Sequence, residues 1–298
     1  MNHGKIQARP MILASVLSPM PVNTFLHEYF GKRPLLIRGA PGKFDALMRP
    51  ADFIYGLDRV SEIRCVFGEL RQATISVGDI REMFEAGATI CVTGIDYAHR
   101  SLRSAARRIE MEIGYLGRVD FRAYLSPPGS GFDIHYDARV ATTLQLEGTK
   151  TWWYSNQPHT PFPAENSPRT DMVAIRRAVA RVKLRKVTLR PGDLLCLPPG
   201  VWHKAKAGAG GSLALNLAFN HAGATVLDVV LRELRGTLAT QPGCREPFFT
   251  GLRETPAKLV CSQIDQCVQA IVRELQKMQG ETVTRRLAQT AMRRKSVA

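Results

Sequence analysis

Between residues 118 and 221 the chain is a run of short apolar segments broken by glycine, proline and asparagine, and this texture limits the fold more than any other feature. VDFRAYLSPPG, GFDIHYD, VATTLQLEG, TKTWWYSN, VTLRPGDLLCLPPGVWHKA and SLALNLAFN are rich in β-branched and aromatic residues and end at turn formers. Many short strands at close spacing make a jelly-roll or another double-sheet barrel. Within this stretch Gly148 and Thr149 are expected to form a turn, with Lys150 opening the next strand. Residues 155–183 interrupt the pattern as an insert, first a proline-rich loop (QPHTPFPAENSP) and then a basic helical stretch.

The flanks read differently. Residues 1–117 mix helices and strands and are expected to pack on the barrel as an α/β region. VNTFLHEYFG and PADFIYGLDRV read as helices, RPLLIRG as a buried strand, and residues 63–68 and 73–77 as two more strands. VGDIREMFEAG is an amphipathic helix with a glycine stop, ATICVTGI a buried strand, and LRSAARRIEMEIGYLG a longer helix ending at glycine. After residue 222 the strands stop, and ATVLDVVLRELRGTLAT, PAKLVCSQIDQCVQAIVRELQKMQ and ETVTRRLAQTAMRR carry apolar residues at helical spacing. The expected fold is therefore mainly β with flanking α, a double-stranded β-helix core (118–221) followed by a C-terminal helical region (222–298) that dimerises or caps the barrel.

Composition narrows the function classes. At 298 residues with 45% hydrophobic content, the chain can bury a substantial core. No window approaches the roughly 18 consecutive apolar residues of a membrane helix, and MNHGKIQARPMILASVL lacks the apolar core and cleavage site of a signal peptide. A cytoplasmic protein with no membrane partner is expected. Cys65, Cys91, Cys196, Cys244, Cys261 and Cys267 form no CxxC pair, which points to reduced thiols. The net charge is +15, and residues 169–190 carry eight Lys/Arg against the single acid Asp171. Such a field attracts RNA, an acidic peptide or a ribosomal surface, although it equally describes a solvated basic face.

In GFDIHYD, His135 and Asp137 stand two residues apart. On a strand, i and i+2 share a face, so an imidazole and a carboxylate converge on one point. A third ligand has to arrive from a distant strand, and RPGDLLCLPPGVWHKA supplies His203 just after a Pro-Gly turn. Two histidines and one carboxylate on one face of a metal leave the other positions open, the geometry of non-haem Fe(II) oxygenases. His159 and His221 read as loop histidines. Lys150 follows His135 by fifteen residues. A lysine inside a barrel is costly unless it meets an anion, and at a sheet edge it would simply enter solvent.

These motifs resemble the JmjC/cupin oxygenases, in particular their bacterial, ribosomal-oxygenase-like (cupin-4) branch. The resemblance runs over about residues 20–220, through FLHEYFGKRPLLIRGAPGKF and ATICVTGIDYAH, and is most specific in YLSPPGSGFDIHYD, LQLEGTKTWW and LRPGDLLCLPPGVWHKA. It implies that His135, Asp137 and His203 ligate Fe(II). It implies that Lys150 anchors the C5 carboxylate of 2-oxoglutarate, and that Asn216, Thr143 and Tyr124 line the cosubstrate site. Several relatives place a Thr or Ser three residues before the first histidine, where this chain has Phe132, so the hydroxyl that assists Lys150 is left open. Trp152, Trp153 and Trp202 surround the motifs as core residues or as a substrate path.

The implied reaction consumes O2 and decarboxylates 2-oxoglutarate to succinate while a substrate C–H is hydroxylated. A protein or peptide side chain is the first expectation. RNA (a tRNA), a small-molecule or carrier-bound biosynthetic intermediate, and N-methyl-lysine demethylation are alternatives, the last ranked lower because no chromatin-reader segment or zinc cluster is evident. A non-catalytic basic cupin that binds RNA or protein is the reading from another class. The C-terminal helices resemble in position a dimerisation region, which implies a homodimer.

Overall fold

The computed structural model describes residues 12–68, 71–168, 172–221, 224–245 and 257–280, together with Val283 and Arg285. Apart from Val283 and Arg285, the helix expected over 281–294 lies outside the described residues, as do the N-terminal residues through Met11 and Arg169 and Asp171 of the basic stretch. The chain forms two compact units, Met1–Asn220 and His221–Ala298.

Among the described residues the first unit is built on ten antiparallel strands: β1 (Leu35–Ile37), β2 (Glu62–Val66), β3 (Gln72–Thr74), β4 (Thr89–Thr93), β5 (Arg118–Ser126), β6 (Gly131–His135), β7 (Val140–Ser155), β8 (Leu184–Leu189), β9 (Leu194–Leu197) and β10 (His203–Asn220). Two long strands organise them. The first half of β7 and the second half of β10 sit at the centre of a large sheet ordered β1-β9-β7-β10-β5-β4-β2-β3. The second half of β7 pairs β8, and the first half of β10 pairs β6, which makes a smaller sheet. Two strands shared between two sheets close the double-stranded β-helix expected from the sequence, and the N-terminal strands extend its large sheet instead of forming a separate layer.

The corner between the sheets falls at Gly148. Register shifts between β7 and β10 flank it on both sides. Gly148 has φ +64°, and a Cβ there would lie 2.2 Å from Gly211 O, so only glycine fits. The expected turn is thus a bulge inside one continuous strand. Its consequence is a change of face. Val140, Leu144 and Leu146 point outward into the main apolar core, whereas Lys150, Trp152 and Tyr154, also even-numbered, belong to the inner side of the corner.

The main core lies between the large sheet and the N-terminal helices α1 (Ile12–Leu17), α2 (Val22–Thr24), α3 (Ile80–Glu85), α4 (Ile95–Ala98) and α5 (Arg100–Ile113). On α5 the buried positions Leu102, Ala105, Ala106 and Ile109 follow helical spacing, and Gly114 ends the helix at φ +64°. Each such leucine or isoleucine contributes about 2 kcal/mol by burial. Glu112 of α5 accepts from the amides of Ile12 and Leu13, satisfying the exposed start of α1. VNTFLHEYFG continues from α2 into a π-helical turn, Phe25–Tyr29. PADFIYGLDRV, expected as one helix, forms two 3-10 turns, Pro50–Asp52 and Leu57–Arg59, because Gly56 between them sits at φ +71°.

The basic insert becomes a loop (156–168) and α6 (Met172–Val179), which packs Ile175 and Val179 against Ile134 and Trp202. The second unit contains α7 (Val226–Leu238) and α8 (Ala257–Lys277), with Leu234, Leu238 and Ala270 in its own small core. Thr225 and Asp228 form a capping box at the start of α7. The described cysteines Cys65, Cys91, Cys196, Cys244 and Cys267 are free thiols. No helix among the described residues is long and apolar enough to cross a membrane.

Candidate metal centre and cosubstrate pocket

His135 ends β6, His203 opens β10, and the two are directly paired across the small sheet. Their rings lie 4.3 Å apart, centroid to centroid. Asp137 lies two residues beyond the end of the strand, with Oδ2 3.8 Å from His203 Nε2. Ligand atoms of all three residues lie within 4.8 Å of one another. Both rings are oriented from behind. His135 Nδ1 is 2.7 Å from Asp133 O and His203 Nδ1 is 2.8 Å from Val201 O. A carbonyl only accepts, so each Nδ1 carries the proton and each Nε2 keeps its lone pair for a metal. Both histidines are buried, while Asp137 is partly open.

The loop 156–168 and the Pro-Gly turn before His203 hold this constellation. Gly200 N donates to Asp137 O (2.8 Å), Ala138 N to Asn166 Oδ1 (2.8 Å) and Tyr136 N to Ser167 Oγ (3.1 Å). Gly200 also accepts from His159 N. His159 is therefore a loop residue, stacked beside Trp202 and Tyr136 and outside the triad. On the far side of β9, the PGD turn places buried Asp193 where it accepts from Arg38 Nη1, Gly39 N and Arg190 N, fastening the loop after β1 to the barrel.

One cavity contains His135, Asp137 and His203 and is also lined by Lys150, Tyr124, Thr143 and Asn216. The structure thus brings the seven residues named for the iron and cosubstrate sites to one place. Lys150 is 2% exposed. Burial pushes its ammonium down to about 8. Nζ donates to Ser126 Oγ over 3.0 Å and lies 5.6 Å above the Phe132 ring and 5.9 Å above that of Tyr124. Burial raises the Tyr124 phenol above its ordinary range, so it stays a neutral donor. Asn216 pairs with Thr143 on one side and Arg122 on the other, and its Oδ1 is buried without a hydrogen bond. Trp152 packs on His203 at 5.8 Å and lines the cavity, whereas Trp202 belongs to the small core under α6 and Trp153 faces the outer side of the sheet between Lys186 and Lys204.

Ser126 went unnoticed in the sequence, although it shares a strand face with Tyr124 two residues earlier. It is the hydroxyl that meets Lys150 where Phe132 cannot. The donor set fits a hard, octahedral divalent ion with open positions. The buried, sparsely bonded lysine fits a carboxylate.

A double-stranded β-helix with two histidines and one carboxylate beside a buried lysine defines a JmjC-type oxygenase, the Fe(II)- and 2-oxoglutarate-dependent class. The JmjC domain model matches residues 98–227 of the chain. It is 26% identical over 271 residues to the uncharacterized protein YxbC of Bacillus subtilis, covering 79% of this chain and 78% of that one. It is 31% identical over 212 residues to ribosomal oxygenase 2 of Bos taurus, covering 65% of this chain and 44% of the bovine protein. Among solved structures, YcfD, a ribosomal oxygenase from Escherichia coli in complex with cobalt and succinic acid, shares the fold with a TM-score of 0.56 at 18% identity, over 89% of this chain and 69% of that one.

Proposed function

We propose that the protein is an Fe(II)/2-oxoglutarate-dependent hydroxylase of a protein or peptide side chain. The observation that carries this reading is the convergence, inside one cavity, of the His135–Asp137–His203 triad and the buried Lys150–Ser126 pair. The ribosomal oxygenases among its relatives support a protein substrate over a small molecule.

In this reading His135, Asp137 and His203 hold the iron through two Nε2 atoms and a carboxylate oxygen. Lys150 binds the C5 carboxylate, Ser126 adds a hydroxyl, and Asn216, Thr143 and Tyr124 line the chain of the cosubstrate. When bound, the iron and 2-oxoglutarate supply an oxidative decarboxylation in which O2, 2-oxoglutarate and a substrate C–H give succinate, CO2 and a C–OH. The protein orients. The carbonyls of Asp133 and Val201 fix the imidazoles, Trp152 shields one flank of His203, and the neutral Tyr124 hydroxyl can donate to a bound carboxylate.

Self-association through the second unit belongs to the same proposal. Ile264, Val268, Val272 and Leu275 form an exposed apolar stripe along α8, spaced as a packing face of a helix. The decisive experiment is conversion of 2-oxoglutarate to succinate by the full chain with Fe(II), followed by a search for +16 Da products in peptide and RNA pools. Turnover that His135→Ala abolishes, with product in the peptide pool, supports the proposal. Tight RNA binding with no turnover would make the chain a binding module.

A further inference from the structure

The cavity has a second charged feature that neither iron nor 2-oxoglutarate employs. Arg64 of β2, Arg122 of β5 and Arg139, between Asp137 and β7, line the same cavity as the triad. All three also line an open cleft that adjoins it, bounded on its far side by Ala164, Glu165 and Asn166. The strand register explains the convergence. Arg122 shares the inner face of β5 with Tyr124 and Ser126, and Arg64 lies opposite Cys91, which lies opposite Tyr124.

These guanidinium groups are short of partners. Nε of Arg122 and of Arg139 is buried and makes no hydrogen bond. The carboxylate nearest Arg122, Asp120 Oδ1, is 3.8 Å from that Nε, beyond hydrogen-bond reach. Arg64 Nε lies 3.0 Å from Glu62 Oε2 but it too is buried without a hydrogen bond, and only Nη1 is engaged, donating to Gln72 Oε1. A buried donor left unmade is costly, and a carboxylate accepting from a planar guanidinium in two places removes that cost. Lys150 and Ser126, against Phe132, already provide for the anion of the cosubstrate, so the arginines serve another one.

We propose that Arg64, Arg122 and Arg139 form an anion-binding wall for the substrate, and that the hydroxylated residue of an acidic peptide lies next to an Asp or Glu that this wall holds. The proposal rests on the oxygenase reading for the word substrate, but the site itself stands on its own geometry. A peptide carboxylate is favoured over an RNA phosphate because none of the residues lining the outer cleft is aromatic, and single-stranded RNA binding depends on rings for base stacking.

The test measures fluorescence anisotropy of labelled peptide pools with the full chain at saturating 2-oxoglutarate. A central randomised position is flanked by Glu, Gln or Lys, and an oligouridylate forms a fourth arm. The Glu-flanked pool should bind about tenfold more tightly than the Gln-flanked pool. Arg139→Glu and Arg139→Gln should both remove the preference, and Arg139→Lys should keep most of it. Arg81→Glu, on the exposed face of α3, should leave it intact, which separates the wall from the general field of a +15 chain. Equal binding of Glu and Gln pools, a preference that survives Arg139→Glu or is lost equally in Arg81→Glu, or tighter binding of oligouridylate through the same arginine would overturn the proposal. So would a preference that 2-oxoglutarate abolishes, which would make the arginines a cosubstrate site. Succinate formation is read separately. Its absence removes the oxygenase reading while the binding preference still decides the wall.

Discussion

Ser126 Oγ accepts hydrogen bonds from both Lys150 Nζ and Thr89 Oγ1, each at 3.0 Å. With both lone pairs engaged, the serine's own O–H is left to donate, so lysine and serine present a paired donor to one anion. Lys150→Met should abolish conversion of 2-oxoglutarate at ordinary concentrations. Ser126→Ala should raise KM for 2-oxoglutarate about tenfold, the value of one hydrogen bond to a charged group. Thermal unfolding without cosubstrate should show Lys150→Met as stable as the parent or more so, because the variant buries no charge. A large loss of stability in Lys150→Met would argue that the lysine is structural.

The same lysine predicts a pH dependence. Its folded value of about 8 lies below the ordinary 10.5. Between these values the unfolded chain binds more protons than the folded one, so stability without ligand should rise with pH across about 8 to 10.5. The full effect of this gap is roughly 3 kcal/mol. Denaturation curves at pH 7.5 and 10 should show the gain in the parent and its absence in Lys150→Met. Cosubstrate affinity should run the other way and fall above pH 8, as the ammonium that attracts the carboxylate is lost.

Gly200 ties Asp137 and His159 together at φ +77°, and a Cβ there would stand 1.9 Å from Thr160 O. Gly200→Ala must therefore move the loop or the turn. A cost of about 1–3 kcal/mol is expected from the left-handed backbone alone, with the clash in addition. Because the turn leads directly into His203, metal affinity should fall together with stability. Titration with Co(II), followed by its visible absorption, measures the first, and urea denaturation the second.

Asp193 is 3% exposed and accepts from a guanidinium and two amides. Asp193→Ala strands those donors and should cost about 3 kcal/mol. The damage should reach β1, which pairs β9 next to this turn, and faster hydrogen exchange of the β1 amides would show it.

If the stripe on α8 is a dimer face, Val268→Glu should convert the protein to a monomer in light scattering while succinate formation persists. A parent that is monomeric at micromolar concentration would remove the dimer from the proposal.

The class of fold and the three candidate metal ligands are legible in the residue pattern alone. The two-residue spacing keeps His135 and Asp137 close together even though β6 ends at His135, and the Pro-Gly turn before His203 marks a strand start without reference to any partner. Alternation is a local rule, and it fails where a strand changes sheet. Read straight through β7, it sets Lys150 on the face of Leu144 and Leu146 and away from Thr143. Only the bulge at Gly148, imposed by the closeness of Gly211, turns the lysine into the cavity that Thr143 also lines. Tertiary structure alone likewise selected Ser126 as the partner of Lys150, and gathered Arg64, Arg122 and Arg139 from two strands and a loop. Those contacts join residues far apart in the chain, and their register is set by how two sheets close on each other, which no local pattern encodes.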